Sequence, residues 1–319
     1  LHEENRILHG VSGTVEGINT QSSGADECDV EVPIPLPYAR VTAGGLTTNA
    51  DNKGYFELNS TGNVTISSPL DGLYFNVNES SGDDSTSQAA GDGDYVTITH
   101  HEANNNEQYR AQINAYVESN EVRDYILRFS PGFPVLNDQL GFPVNTGVSG
   151  SCNAFYDYSS INFYNAGGGC NNTSFSVIVH HEYGHHAVAS AGSGQDSYGE
   201  GMGDVLGVLL TGDNQLARGF YQGDCVNGIR NADNSKQYPC SGEIHDCGQL
   251  ISGCVWDAME LVEAAFPGEA FDIVSYLAIN SMPLHSGGGI DPTITFDWLR
   301  LDDDDGDLSN STPHSEPIL

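Results

Sequence analysis

The sequence predicts an α+β protein, in which a β-rich segment over residues 1–100 precedes a mainly helical segment over residues 101–319. The first segment contains short runs of alternating or β-branched residues, separated by turns rich in glycine, asparagine and aspartate. In the second segment, apolar residues recur at steps of three and four, which places them on one face of a helix. Residues 79–94 are rich in serine, glycine and aspartate, a composition typical of a linker or loop.

The elements follow from these patterns in chain order. Strands are expected at residues 11–15, 39–41, 55–58, 64–67, 73–77 and 95–99, and residues 153–164 alternate like an exposed strand. Helices are expected after residue 102 and over residues 174–190, 199–211, 246–265 and 271–280. The sequence shows no internal repeat.

Composition excludes several classes of protein. The 319 residues are 38% hydrophobic, which is enough for packed cores, and 44 acidic residues against 10 basic ones give a net charge of −34. Such a charge disfavours nucleic acids and anionic membrane surfaces as partners. No apolar run approaches the roughly 20 residues of a membrane span, and Leu1 opens no signal peptide, so a processed or trimmed start is expected.

Cysteine usage points to an extracellular protein. The seven cysteines include no CxxC pair, so disulfides are favoured over a zinc ribbon or a redox motif. The expected pairs are Cys152 with Cys170 and Cys225 with Cys240, because each would close a short loop rich in glycine and asparagine. The odd number leaves one cysteine unpaired. Only two lysines beside so many carboxylates suit a salty or calcium-containing medium.

The segment of residues 177–186 contains a His-Glu-x-x-His motif. In a helix, His181 and His185 lie one turn apart, so both imidazoles project from one face and can bind a tetrahedral zinc ion. Glu182 would lie beside the metal without binding it, and its carboxylate can take a proton from a zinc-activated water. The competing interpretation is a histidine-rich helix that binds no metal.

A second pair of acids strengthens the metal interpretation. Glu200 and Asp204 lie one turn apart on the next predicted helix and therefore share a face. Glu200 would be the third protein ligand, which leaves the fourth position open, as in catalytic zinc sites. Asp204 would accept a hydrogen bond from the distal nitrogen of a zinc-bound histidine, with His181 as the expected partner. Taken singly, either acid could instead favour a helix N-terminus through the macrodipole.

With these two motifs the chain resembles the gluzincin metallopeptidases, in particular the thermolysin and fungalysin families, and is most similar to fungalysin-like secreted proteases of bacteria. The resemblance covers most of residues 105–319. It implies a two-lobed zincin catalytic domain over residues 101–319, with a mainly helical C-terminal lobe and the active site between the lobes. The 14 residues between His185 and Glu200 are fewer than thermolysin has, so the shape of the pocket does not transfer.

The region before residue 100 resembles known modules less specifically. Residues 38–77 are similar to the regulatory β-sandwich modules of secreted carboxypeptidases, or to the β-rich pre-catalytic region of secreted metalloproteases. A sandwich-like N-terminal region over residues 1–100 is therefore expected.

The resemblance also assigns residues around the cleft. Asn153 and Ala154 match an Asn-Ala-aromatic edge strand, along which a peptide substrate pairs by β-augmentation. His245 matches the histidine that stabilises the oxyanion, and Arg230 would brace the substrate carbonyl or form an ion pair with an acid. Tyr198 is a further candidate hydrogen-bond donor to the substrate, although its position does not match the thermolysin pattern.

Aspartates near the C-terminus are candidate calcium ligands. So many neighbouring carboxylates are unfavourable unless they are solvated or neutralised by a hard cation such as Ca²⁺. The EF-hand pattern fails, because Leu301 occupies its first ligand position when Gly306 is placed sixth. A structural calcium site and a solvated acidic loop are both consistent with the sequence. The candidate ligands are Asp302, Asp303, Asp304, Asp305 and Asp307.

Together these features predict a secreted, monomeric, zinc-dependent endopeptidase that acts on proteins or peptides. Catalysis would use a zinc-activated water with Glu182 as general base. One alternative is a zinc aminopeptidase of the same architecture, which would need an acidic or amide-lined subsite for a free substrate amine. The other is a non-catalytic, calcium-loaded binding or adhesion module. Glu182 argues against that module, because a structural zinc site needs no base.

Overall fold

The structure is a computed structural model that describes residues 10–20 and 24–319. Leu1, for which a processed or trimmed start is expected, lies outside the described residues. The strands are β1 (Val11–Thr20), β2 (Glu31–Pro35), β3 (Arg40–Ala43), β4 (Leu46–Asn49), β5 (Tyr55–Leu58), β6 (Val64–Pro69), β7 (Phe75–Glu79), β8 (Ser85–Ala90), β9 (Tyr95–His100), β10 (Phe142–Val148), β11 (Ala154–Tyr156), β12 (Ile161–Tyr164), β13 (Gln215–Leu216) and β14 (Arg230–Asn231). The helices are α1 (Glu107–Phe129), α2 (Ser176–Ala191), α3 (Asp196–Thr211), α4 (Ile244–Ala265), α5 (Ala270–Ser281), α6 (Thr293–Asp302) and α7 (Ser315–Ile318). The predicted mixture of strands and helices is confirmed, although five strands, β10 to β14, lie beyond residue 100 between helices.

Two sheets form most of the N-terminal segment. In the first, β1 pairs antiparallel with β2 and β5 and parallel with β9. In the second, the antiparallel strands follow the order β4-β3-β6-β8. Alternate residues of β1 are buried, including Val11 and Val15, as the period of two in its sequence requires.

The polar stretch of residues 79–94 is not a linker. It contains β8, which pairs with β6 from Ser85 opposite Pro69 to Ala90 opposite Val64. The strand lies at the edge of its sheet, and most of its side chains are exposed. The polarity of the stretch therefore reflects solvent exposure of an edge strand, and polar edge strands resemble loops in composition.

A third sheet joins the two segments of the chain. Its order is β11-β12-β10-β7, and β7 pairs in parallel with β10 from Phe75 opposite Phe142 to Glu79 opposite Thr146. One strand from before residue 100 therefore belongs to the sheet that carries β11. A functional boundary at residue 100 stays a prediction.

Helix α1 packs against the N-terminal strands. Ile113 and Tyr116 are fully buried, and the Tyr116 hydroxyl donates a hydrogen bond to the Pro37 carbonyl at 2.7 Å. A β-carbon at Gly17 on β1 would lie 2.8 Å from Ile113, so the close approach of helix and strand requires a glycine there. Among the described helices, none combines the length and apolar character needed to cross a membrane.

Helices α2 and α3 form a tight corner that sets the geometry of the metal-binding motifs. Four residues, 192–195, separate them, and Gly192 ends α2 with a left-handed φ of 85°. The helices cross where Gly184 faces Gly203, because a β-carbon on Gly184 would lie 2.8 Å from the Gly203 Cα. The shortened connection expected from the sequence is therefore a helix–helix turn.

We expect Gly184→Ala to lower the free energy of unfolding by about 1–3 kcal/mol, because the new methyl group would meet backbone that cannot move without displacing α3. Gly207→Ala on α3 is the matched control. Its β-carbon would first meet side-chain atoms of Val177 and Leu216, at 3.2 and 3.3 Å. The gain in helix propensity, about 1 kcal/mol, should offset that contact. Urea denaturation of both variants tests this. Equal midpoints would contradict the claim that α2 and α3 cross too closely at Gly184 to accept a β-carbon.

The disulfides correct one expectation and confirm another. Cys152 pairs with Cys170, as predicted. The expected Cys225–Cys240 pair is wrong, because Cys225 bonds Cys28 in the N-terminal segment and Cys240 bonds Cys247 across a short loop. All seven cysteines lie in the described part of the chain, and the unpaired one is Cys254.

Candidate active site

The helix corner brings His181 and His185 of α2 next to Glu200 of α3. Their ligand atoms all lie within 4.8 Å of one another. Glu200 Oε2 is 3.3 Å from His181 Nε2 and 3.7 Å from His185 Nε2. Ligand atoms around a tetrahedral zinc, with bonds of about 2.0–2.2 Å, lie about 3.3–3.6 Å apart. The three side chains therefore have the composition and the spacing of a zinc-binding set.

The electrostatics of this cluster also favour a cation. Glu200 Oε2 is buried and takes part in no hydrogen bond, although three imidazole rings surround it. Burial would raise the pKa of Glu200, but contact with His181 and the charges of the other histidines lower it to about 2. Burial lowers the pKa of His185 to about 4, so this ring is neutral, as a metal ligand must be. Burial would also lower the pKa of His181, but contact with Asp204 and Glu200 raises that pKa to about 10, so a metal ion would have to displace a proton from His181. A buried carboxylate oxygen without a hydrogen bond between these rings fits a divalent metal.

Asp204 and Arg230 support His181 from behind. Asp204 Oδ1 lies 2.9 Å from His181 Nδ1, and Arg230 donates to both Asp204 oxygens at 2.6 and 2.7 Å. Burial would raise the pKa of Asp204, but the Arg230 charge and the His181 contact hold that pKa well below its usual value. Because the carboxylate can only accept, it fixes Nδ1 as the protonated nitrogen of His181 and turns Nε2 towards Glu200. The expected contact between Asp204 and His181 is therefore present.

Gln195 supports the second histidine and was not found from the sequence. Its Oε1 lies 2.8 Å from His185 Nδ1, and its Nε2 donates to the His185 carbonyl at 3.1 Å. It is the residue before α3 begins, so the turn between the helices positions it. Glutamine at that place belongs to no motif, and only the folded corner shows its role.

Glu182 lies in the wall of the cleft beside the metal-ligand set. Its side chain is buried, and it lines the cleft with His181, His185 and Glu200. Burial raises the pKa of Glu182 to about 7, because the opposing effect of His181 does not outweigh it. A carboxylate in this place can exchange protons with a molecule in the cleft.

His245 approaches the same cluster from α4. It lies in the first turn of that helix, with Nε2 3.3 Å from Glu200 Oε2 and Nδ1 2.5 Å from Glu243 Oε1. Glu243 is the N-cap of α4 and accepts hydrogen bonds from the backbone amides of His245 and Asp246. Glu243 is not among the residues expected from the sequence, because the helix predicted to begin at residue 246 begins at Ile244.

The cleft itself has a volume of about 390 Å³ and opens beside the edge strand β11. Asn153 and Ala154 line it, as does Arg230, which contacts Asp204 at the same time. Of the predicted strand over residues 153–164, β11 is at the sheet edge and β12 is buried inside the sheet. The apolar walls were not predicted from the sequence. They are formed by Ile178, Phe220, Ile229 and the aromatic residues Phe155, Tyr156 and Tyr158.

The expectation for Tyr198 is wrong. Its side chain is fully buried and stacks on His285, with ring centroids 3.9 Å apart. It is absent from the lining of the cleft among the described residues. Although Tyr198 precedes Glu200 by only two residues, the helix turns its ring towards the protein interior, so it cannot contact a substrate.

The histidines that flank the motif contact other residues. His180 Nε2 lies 2.9 Å from Glu118 Oε2, inside the contact between α1 and α2. His186 contacts Gln139 and the hydroxyl of Tyr156, and its ring stacks on Phe142. Neither lines the cleft as the structure describes it.

Three of the carboxylates in the acidic loop near the C-terminus accept hydrogen bonds, and one of these is Asp305, which accepts from the Asp307 amide and from Asn310. Asp302 accepts hydrogen bonds from Thr312 and from the backbone amide of His314, and Asp307 accepts two from Ser309. Three aspartates each offer an oxygen within 4.8 Å of one another: Asp303, Asp304 and Asp305. Exposed acids are often grouped like this without an ion, so calcium stays a prediction.

Comparisons with known proteins bear on the fold alone. The chain matches no family model and no curated protein. Its structure is similar to that of the precursor of protealysin, a metalloproteinase from Serratia proteamaculans, with a TM-score of 0.52 and 15% sequence identity. The match covers 77% of this chain and 85% of the protealysin chain. It supports a metalloprotease fold and does not single out fungalysin-like proteases.

Proposed function

We propose that the protein is a zinc-dependent endopeptidase of the two-lobed zincin type. The observation that carries the proposal is the metal-ligand set of His181, His185 and Glu200, with the carboxylate of Glu182 beside it in an open cleft. Bound zinc would supply Lewis acidity, which lowers the pKa of water and polarises a carbonyl group. A purely structural zinc site would have a fourth protein ligand and would need no base.

The residues of this chain would divide the work of hydrolysis among them. Glu182 would take a proton from the attacking water and pass it to the leaving amine. His245 would donate a hydrogen bond to the carbonyl oxygen as negative charge develops on it. The free edge of β11, with Asn153 before it, would pair with the substrate backbone.

An endopeptidase is favoured over an aminopeptidase by the charges in the cleft. An aminopeptidase needs an acidic or amide-lined subsite for the free substrate amine. The carboxylates among the described lining residues are Glu182 and Glu200, and both already have a role at the metal. The lining amides are those of Gln195, which contacts His185, and Asn153, which is assigned to the substrate backbone. The free edge of β11 (Ala154–Tyr156) beside the cleft suits pairing with an extended chain.

We further propose that the protein acts outside the cell. Its three disulfides persist in oxidising compartments, and its excess of acids suits a medium rich in cations. Calcium held by Asp303, Asp304 and Asp305 would belong to the same setting. A non-catalytic binding module lacks support, because nothing in such a module requires Glu182.

Metal removal tests the proposed function. We expect a chelator to abolish cleavage of an internally quenched peptide and about one equivalent of Zn²⁺ to restore it. The reason is that the proposed hydrolysis needs the Lewis acidity that bound zinc supplies. Peptides with an acetylated N-terminus should be cleaved as well as free ones. Cleavage of free peptides alone would establish the aminopeptidase, and zinc binding without any hydrolysis would contradict both enzymes.

A further inference from the structure

The first turn of α4 is a poorly anchored part of the molecule. Every residue from Gln237 to Asp246 is exposed, and this stretch includes His245. Exposed segments with few buried contacts open at low free energy. The side-chain contacts that hold His245 are those to Glu243, which is itself exposed, and to Glu200 across the cleft. The other contacts of this turn are the capping bonds of Glu243 and the Lys236–Asp246 ion pair, which also lie at the surface.

The Cys240–Cys247 disulfide encloses this turn. The two cysteines are seven residues apart, and His245 and Glu243 both lie between them. Cys240 is exposed, whereas Cys247 is 6% exposed and belongs to α4. The bond therefore ties the exposed end of the loop to a buried point of the helix.

The buried end of this tie lies against the metal-ligand helix. Gly248 follows Cys247, and a β-carbon there would lie 2.9 Å from the Glu200 Cβ and from the Gly201 amide nitrogen. In return, a β-carbon on Gly201 would lie 2.8 Å from the Gly248 carbonyl oxygen. Helices α3 and α4 thus touch backbone to backbone at this point. A bond that fixes a residue to Cys247 therefore also fixes the position of that residue relative to Glu200.

We propose that the Cys240–Cys247 disulfide is a positioning element that holds His245 over the metal-ligand set. The proposal rests on the proposed function for its catalytic consequence. Cys240 and Cys247 touch no substrate and act through His245. Loss of the bond should free the loop, so that the imidazole spends less time where it can donate to the developing oxyanion.

A double-mutant cycle tests this. We expect the double variant Cys240→Ala/Cys247→Ala to lower kcat at least about tenfold with KM changed less than about twofold, since His245 acts in the transition state. In the His245→Ala background, removal of the same disulfide should have no further effect on kcat. An equal loss of kcat in both backgrounds would mean a general structural role and would overturn the proposal.

A second disulfide, beside a residue that lines the cleft, provides the matched control. Cys152→Ala/Cys170→Ala removes a bond next to Asn153, where the substrate backbone is expected to pair. Its effect should fall mainly on KM and should persist in the His245→Ala background. Identical kinetic changes in the two disulfide variants would contradict a specific link between Cys240–Cys247 and His245.

A second measurement does not depend on activity. The amides of His245, Asp246 and Cys247 donate to Glu243. We expect hydrogen exchange of these three amides to become at least about tenfold faster without Cys240–Cys247, while residues 181–186 keep their protection and the chain keeps about one zinc. Unchanged exchange of the three amides would overturn the proposal even if activity fell. If the parent chain cleaves no peptide, the proposed function fails, and the exchange result still decides whether the disulfide holds this turn.

Discussion

Glu182→Gln is expected to lower kcat for peptide hydrolysis by about 10²–10⁴-fold while the chain still binds one zinc per molecule. The amide has nearly the shape of the carboxylate and cannot take the proton from the attacking water. The ligand atoms belong to His181, His185 and Glu200, so the metal site should be unaffected. Steady-state kinetics on a quenched peptide and metal analysis of the same preparation provide the measurement.

The control for this variant is Glu102→Gln. Glu102 is exposed, lies in a turn before α1 and is remote in sequence from every residue that lines the cleft. Its substitution should leave kcat, KM and zinc content unchanged. If Glu182→Gln retained full activity, the general base would have to be another group. If it lost zinc as well, the assignment of Glu182 as a non-ligand would be wrong.

Asp204→Asn is expected to lower the free energy of unfolding by about 3–5 kcal/mol, because it leaves the buried charge of Arg230 without its partner. The Arg230 side chain is only 14% exposed, and that of Asp204 is 1% exposed. The same substitution leaves one acceptor oxygen in place of two, so His181 and Arg230 compete for it and His181 is held less firmly. Zinc affinity should therefore fall roughly 10–100-fold. Urea denaturation and a competition titration against a zinc chelator measure the two effects separately.

Asp213→Asn is the matched control, because Asp213 binds Arg218 with the same two-pronged geometry. Arg218 Nε lies 2.6 Å from Asp213 Oδ2, and Nη2 lies 2.9 Å from Oδ1. Both side chains are more than one-fifth exposed, so the pair should contribute less than about 1 kcal/mol. Zinc affinity should not change. Equal destabilisation in the two variants would show that burial does not determine how much the Asp204–Arg230 pair contributes to the free energy of unfolding.

The sequence predicts those parts of the site in which the residues lie one turn apart on the same helix. The period of the helix fixes where His181, Glu182 and His185 project, and the same holds for Glu200 and Asp204. The contact between Asp204 and His181 follows once the two helices face each other. Gln195 and Glu243 escaped because each depends on a turn or a cap whose geometry appears only in the folded chain.

The fold was predictable where polarity and burial agree. The alternation in β1 and the apolar steps of α1 report directly on which face is buried. The stretch that contains β8 has the composition of a linker because an edge strand with solvent on both faces carries the side chains of a loop. The expectation for Tyr198 is wrong for a related reason. Its proximity in sequence to Glu200 does not tell on which side of the helix its ring lies. The expected pairing of Cys225 is wrong because disulfide pairing depends on distance in space, and the sequence gives only the distance along the chain.

The Cys28–Cys225 bond gives the chain a topology that matters wherever its backbone is cut. The bond joins residues 197 positions apart and so closes a covalent ring that contains α1, α2 and α3. One cut anywhere inside the ring opens it without releasing a fragment. A nicked molecule would keep its mass and both halves of its cleft until a reductant divided it. A cut after residue 225 has no such safeguard, unless it falls within the small 240–247 ring.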